Sequence, residues 1–113
     1  MPRNSIEVHE SAPNIFADLG LPDADTHFLK AQIVSELHRL AHEQKQTQTA
    51  TGALLGISQP EVSRLFKGHF REYSVERLIG FLTAFNKDVE IIVKDRSGEA
   101  ARGSVTLKNE AAA

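Results

Sequence analysis

The stretch TQTATGALLGISQPEVSRLFKG, residues 47–68, constrains the fold more than any other part of the chain. Ser58 followed three residues later by Glu61 forms a capping box, in which the serine oxygen accepts an orphan amide and the glutamate reaches back to the serine amide. A helix therefore starts at Ser58. Pro60 sits in its first turn, where no intrahelical donor is lost, and Gly68 supplies the left-handed residue that commonly ends a helix. Val62, Leu65 and Phe66 fall on one stripe, which leaves Gln59, Ser63, Arg64 and Lys67 on the outer surface. Thr47 caps a preceding helix with Ala50, Ala53 and Leu54 inside, closed by Gly56. Two short helices meeting at a sharp angle need a small residue where the first passes the second, a glycine in the turn, and apolar residues on the inner face. Gly52, Gly56, Val62 and Leu65, at spacings of four, six and three, meet those needs.

A chain of 113 residues with 41% hydrophobic content is one domain's worth and buries a modest core, too little for a large enzyme. It has no cysteine, which excludes disulfides, thiolate zinc sites and thiol catalysis and agrees with a cytoplasmic location. No stretch is long enough to span a membrane, and residues 1–20 lack the apolar run of a signal peptide. The net charge of −2 argues against gripping nucleic acid by bulk attraction. That average conceals an uneven distribution. Residues 1–29 set Arg3 against Glu7, Glu10, Asp18, Asp23 and Asp25, so the remainder of the chain sums to +2.

Residues 1–13 are polar and without period, as expected of a flexible arm. Ile15, Phe16, Leu19 and Leu21 form a short apolar anchor before the break at Pro22. Asp23 or Asp25 can cap a helix with apolar positions Phe28, Leu29, Ile33, Leu37, Leu40 and Ala41, ending near residues 43–45. Phe70 and Tyr73 are hydrophobic pins in the connection 68–73. Ser74 then caps a helix carrying Val75, Leu78, Ile79, Leu82 and Phe85, and Asn86-Lys87 turns the chain. Residues 88–94, with Val89, Ile91 and Val93 alternating with Glu90, Ile92 and Lys94, predict a strand, and 104–108 is a weaker second candidate. A lone strand leaves unpaired amides. Because nine residues are long for a hairpin loop, antiparallel pairing of 88–94 across a twofold axis is the better solution, with Val89, Ile91, Ile92 and Val93 at the interface. Residues 95–113 otherwise read as a mobile tail.

The pattern in residues 47–68 is that of a helix-turn-helix. With its TQ opening, LLGIS turn and SRLxxG close, it resembles the XRE (lambda-repressor-like) family. Residues 14–93, with NxFADLGLP in front and YSVERL and DVEIIV behind, are similar to the HigA-type antitoxins of that family. Two departures stand out. Gln46 occupies a usually apolar place and Gly52 replaces the common alanine, and both are expected to loosen the second helix, since glycine costs about 1 kcal/mol against alanine.

The resemblance implies a mainly α, lambda-repressor-like bundle of about five helices with one C-terminal β-strand paired across a dimer. It also implies that residues 58–67 form a recognition helix in the major groove. Base-reading residues then lie early on that helix, at Gln59, Pro60, Ser63 and Arg64, with the cap Ser58 also among the DNA-binding positions. Gln59 can pair with an adenine, Arg64 can fork onto a guanine, and Pro60 can touch a thymine methyl. Thr47 and Gln48 match the family's phosphate-binding positions, and Lys67 and Arg71 add charge at the rim. The implied partners are a palindromic double-stranded operator, a second copy of the chain and a small ribonuclease toxin, with no cofactor.

The plainer readings stand beside these. A stand-alone regulator without a toxin fits the same motif, and so does an adaptor that keeps it only as packing. Gln59, Ser63 and Arg64 taken singly are an ordinary solvated face. His38 and His42 stand one turn apart as zinc ligands do, but Arg39 follows His38 where a zinc protease motif has glutamate, so a solvated helix face and no metal is the better reading.

Overall fold

The structure, a computed structural model, describes residues 23–96, 98 and 102–110. Those residues hold four helices: α1 (Asp23–Glu43), α2 (Gln48–Leu55), α3 (Gln59–Phe66) and α4 (Val75–Ala84). The described residues hold four helices and do not support the expected five; the anchor 14–21 and the arm 1–13 lie outside the described residues. No described helix is long and apolar enough to cross a membrane.

The core lies where α1 packs on α4, with α3 against α1 and α2 against α4. Leu29, Ile33, Val34, Leu37, Leu40 and Ala41 keep the three-and-four spacing along α1 and are all buried. They meet Val75, Leu78, Phe81, Leu82 and Phe85 from α4 and its C-cap. Leu37, Leu40, Leu65 and Leu78 show no exposure, and each such side chain stabilises the fold by about 1.5–3 kcal/mol relative to a solvated one. Phe70 and Tyr73 are buried, as the pin reading requires. Lys30 Nζ ties α1 to the connection by donating to the Arg71 carbonyl at 2.9 Å. Asn86, with φ 64°, turns the chain after α4.

Three sequence expectations change. Phe28 is 57% exposed, because the inward arc of α1 runs through Leu29 and Ile33 and leaves position 28 beside it. In α2 the inward residues are Thr51, Gly52 and Leu55, and Ala50, Ala53 and Leu54 face outward. With both alanines small and leucines at 54 and 55, hydrophobicity alone does not fix the phase of so short a helix.

The third change is the strand. Residues 88–94 form none: Ile91, Ile92 and Val93 are 72%, 76% and 92% exposed, and only Val89 packs partly against the core. A strand exists by virtue of a partner, and the candidate partner within the chain is committed elsewhere. Leu107 donates its N–H to Gln32 Oε1 at 3.2 Å and accepts from Gln32 Nε2 at 3.5 Å. The glutamine carboxamide thus replaces a β-ladder neighbour. Asn109 Nδ2 adds a 3.0 Å bond to Glu36, so this part of the tail lies along α1.

Candidate nucleic-acid interface

The turn between α2 and α3 is built from caps. Thr47 accepts the Ala50 amide at 3.0 Å and opens α2, and Gly56, at φ 79°, ends it in the left-handed region. The Gly52 carbonyl receives two amides, those of Gly56 at 2.7 Å and Ile57 at 3.0 Å. A Cβ at position 52 would lie 2.5 Å from the Ile57 carbonyl oxygen, so the backbone of the turn approaches α2 more closely than a side chain there permits. Glycine there is a requirement of the turn, which corrects the expectation that it loosens α2. Gln46, the other departure, accepts the hydroxyl of fully buried Thr51 at 3.2 Å, so this polar side chain satisfies a buried donor.

Ser58 opens α3 with the full capping box: its oxygen accepts the Glu61 amide at 3.2 Å and its own amide donates to Glu61 Oε1 at 2.8 Å. These bonds hold the Glu61 carboxyl below its ordinary range, first through the Ser58 amide and hydroxyl and then through the charges of Arg64 and Arg77. The lowered folded value places this contribution fully above the ordinary glutamate pKa, about 4.3, and removes it as pH falls through the folded value. The advantage of the wild type over Glu61→Gln in thermal midpoint is therefore expected near neutrality and should vanish in acid. A pH series of melts checks this.

The outward row is Ser58, Gln59, Pro60, Arg64 and Lys67, all exposed, with Ser63 half-buried between them. Gln59 Nε2 donates to Gln48 Oε1 at 2.7 Å, so the first residues of α2 and α3 are linked side chain to side chain. That bond fixes the Gln59 amide with one N–H and its oxygen still available. The Arg64, Lys67 and Arg71 side chains enter no hydrogen bond or ion pair among the described residues, and Arg71 stands apart, in the connection after α3.

A model of the helix-turn-helix domain family matches residues 15–94. A solved structure described as an XRE family transcriptional regulator aligns with 33% sequence identity over 80% of this chain and 100% of its own, at a TM-score of 0.67. The chain belongs to the XRE helix-turn-helix family. No curated protein matches it.

Within this XRE chain, α2 and α3 are the two helices of the motif, and both capping residues stand where the sequence places them. Val89, Ile91, Ile92 and Val93 follow α4 in the chain and belong to neither helix of the motif. His38 packs edge-on against Phe66 at 4.9 Å between ring centres, and no group of three or more His, Cys, Asp or Glu could hold a metal among the described residues. Sequence reasoning missed Arg77, whose guanidinium lies 5.0 Å over the Tyr73 ring and 5.5 Å over the Phe81 ring. The i, i+4, i+8 spacing of Tyr73, Arg77 and Phe81 was the available signal.

Proposed function

We propose that this XRE-family chain is a sequence-specific, DNA-binding transcriptional repressor that works as a cytoplasmic dimer through residues 14–94. The observation that carries this reading is the Gln48–Gln59 bond at the exposed tip of α3, a geometry suited to presenting an amide fork to a base edge. In this reading α3 lies in the major groove. Gln59, Ser63 and Arg64 meet base edges, Pro60 meets a thymine methyl, and Ser58, Thr47, Gln48, Lys67 and Arg71 hold phosphates. Selection of bound fragments from the source genome tests it, with one inverted-repeat site and half-site centres about 34 Å apart as the expected outcome. Retention of fragments with no shared sequence would favour the adaptor.

The dimer rests on the exposed apolar row Ile91, Ile92 and Val93, which has no ladder among the described residues. Antiparallel pairing of 88–94 with the same segment of a second copy satisfies its backbone and covers that row. Ile91→Pro removes a ladder donor and is expected to give monomers that bind half-sites weakly. A variant that stays dimeric with unchanged affinity, measured by sedimentation and DNA titration, would place the dimer contact elsewhere.

The HigA-type resemblance adds a second partner, a small ribonuclease toxin with which the protein represses its own operon. The acidic residues in 1–29 complement the basic surface such an enzyme needs for RNA. Co-expression of residues 24–113 with a cognate toxin is expected to protect cells less than the full chain does. Full protection would move the contact to the folded domain, and absence of a toxin gene beside this one would leave the stand-alone regulator.

A further inference from the structure

Two arginines of this protein are held in opposite ways. Arg39 is consumed by carboxylates, at 2.7 Å from Glu36 and 3.4 Å from Glu43. Arg77 is exposed and enters no ion pair among the described residues, yet it is not loose. Its guanidinium covers the rings of Tyr73 and Phe81, which are themselves packed edge to face at 5.9 Å and buried. Its backbone is fixed as well, because the Arg77 amide donates to the capping oxygen of Ser74 at 3.0 Å. Aromatic faces orient a guanidinium without occupying its N–H edge, which leaves planar donors available to an anion.

The position is as telling as the restraint. Arg64 on α3 and Arg77 on α4 both act through their charge on the carboxylate of Glu61, the capping residue in the first turn of α3. Glu61 accepts the Ser58 amide and forms no ion pair with Arg77 among the described residues. We propose that Arg77 is a phosphodiester-binding side chain, pre-oriented on Tyr73 and Phe81, that grips the DNA backbone on the α4 side of the groove entered by α3. This rests on the reading of α3 as the recognition helix. A helix seated in the major groove has a phosphate strand on each side, and Thr47 and Gln48 at the start of α2 serve one of them. Arg77 serves the other. A phosphate contact carries no sequence information, so its signature is uniform.

The test measures binding of the full chain to the genome-selected site and to a duplex of scrambled sequence across a salt series. Arg77→Gln is expected to weaken both duplexes alike, to leave their affinity ratio unchanged, and to lower the magnitude of the salt slope by about one unit. Arg77→Met is the second variant, because its unbranched side chain still covers both rings without charge. It keeps the fold if the guanidinium stack contributes to stability. Circular dichroism identifies the folded variant to be scored. A folded, charge-free variant with the wild-type slope and affinity would overturn the proposal. Arg64→Ala in the same series separates the two readings: if it relaxes sequence preference while the Arg77 variants change nothing, only the Arg77 assignment falls. Wild-type protein that binds neither duplex would sink both.

Discussion

Gly52→Ala is expected to destabilise the protein by about 1–3 kcal/mol, although alanine is the better helix former by about 1 kcal/mol. The reason is the 2.5 Å that would separate the new Cβ from the Ile57 carbonyl oxygen. That oxygen belongs to the backbone between the two caps, and no flexible side chain can yield in its place. Relief requires moving Ile57, whose amide bonds the Gly52 carbonyl, and with it the Ser58 cap that starts α3. The substitution therefore displaces the outward row as well as costing stability. Gly80→Ala is the control: a Cβ there meets nothing within 4 Å in the interior of α4, so this change is expected to stabilise by about 0.5–1 kcal/mol. Urea denaturation of the two variants checks both signs. A Gly52→Ala protein more stable than wild type would mean that the turn relaxes at little cost.

The second large effect falls on recognition. Gln59→Ala and Arg64→Ala are each expected to weaken binding to the selected site by about 1–3 kcal/mol, while binding to scrambled DNA changes little, because each removes a forked contact to a base edge. The 2.7 Å bond between Gln48 and Gln59 adds a coupling. Gln48→Ala frees the Gln59 amide to rotate, so the effects of Gln48→Ala and Gln59→Ala should not sum in a double-mutant cycle. Additive losses would mean that the two glutamines act separately.

Local chemistry made much of this fold legible. A capping box, a left-handed glycine and a serine before an apolar run are decided within a few residues, and the caps at Thr47, Ser58 and Ser74 stand where the sequence puts them. The apolar periods of α1 and α4 span enough turns to define a face, with Phe28 the exception at the edge of the arc. The misreadings are of features decided by contacts that spacing does not reveal. The inward face of α2 is set by the approach of Ile57 to Gly52, which no periodicity in eight residues reveals. The use of Gln46 depends on the buried hydroxyl of Thr51, and the use of Leu107 depends on Gln32, 75 positions away. A strand at 88–94 needs a partner, and alternation describes only the faces a segment could present. At the candidate interface the residue types and their order were legible. The Gln48–Gln59 bond and the Arg77 stack were not, because both join the starts of separate elements or lie against buried rings.

The central claim is that α3 reads base edges, and the most direct measurement is a pair of selections from one randomised duplex pool, with wild-type protein and with Arg64→Ala. The account predicts that wild type enriches an inverted repeat, and that Arg64→Ala enriches the same repeat with one base pair per half-site gone degenerate. An Arg64→Ala protein that enriches the unaltered wild-type site with equal affinity would contradict it.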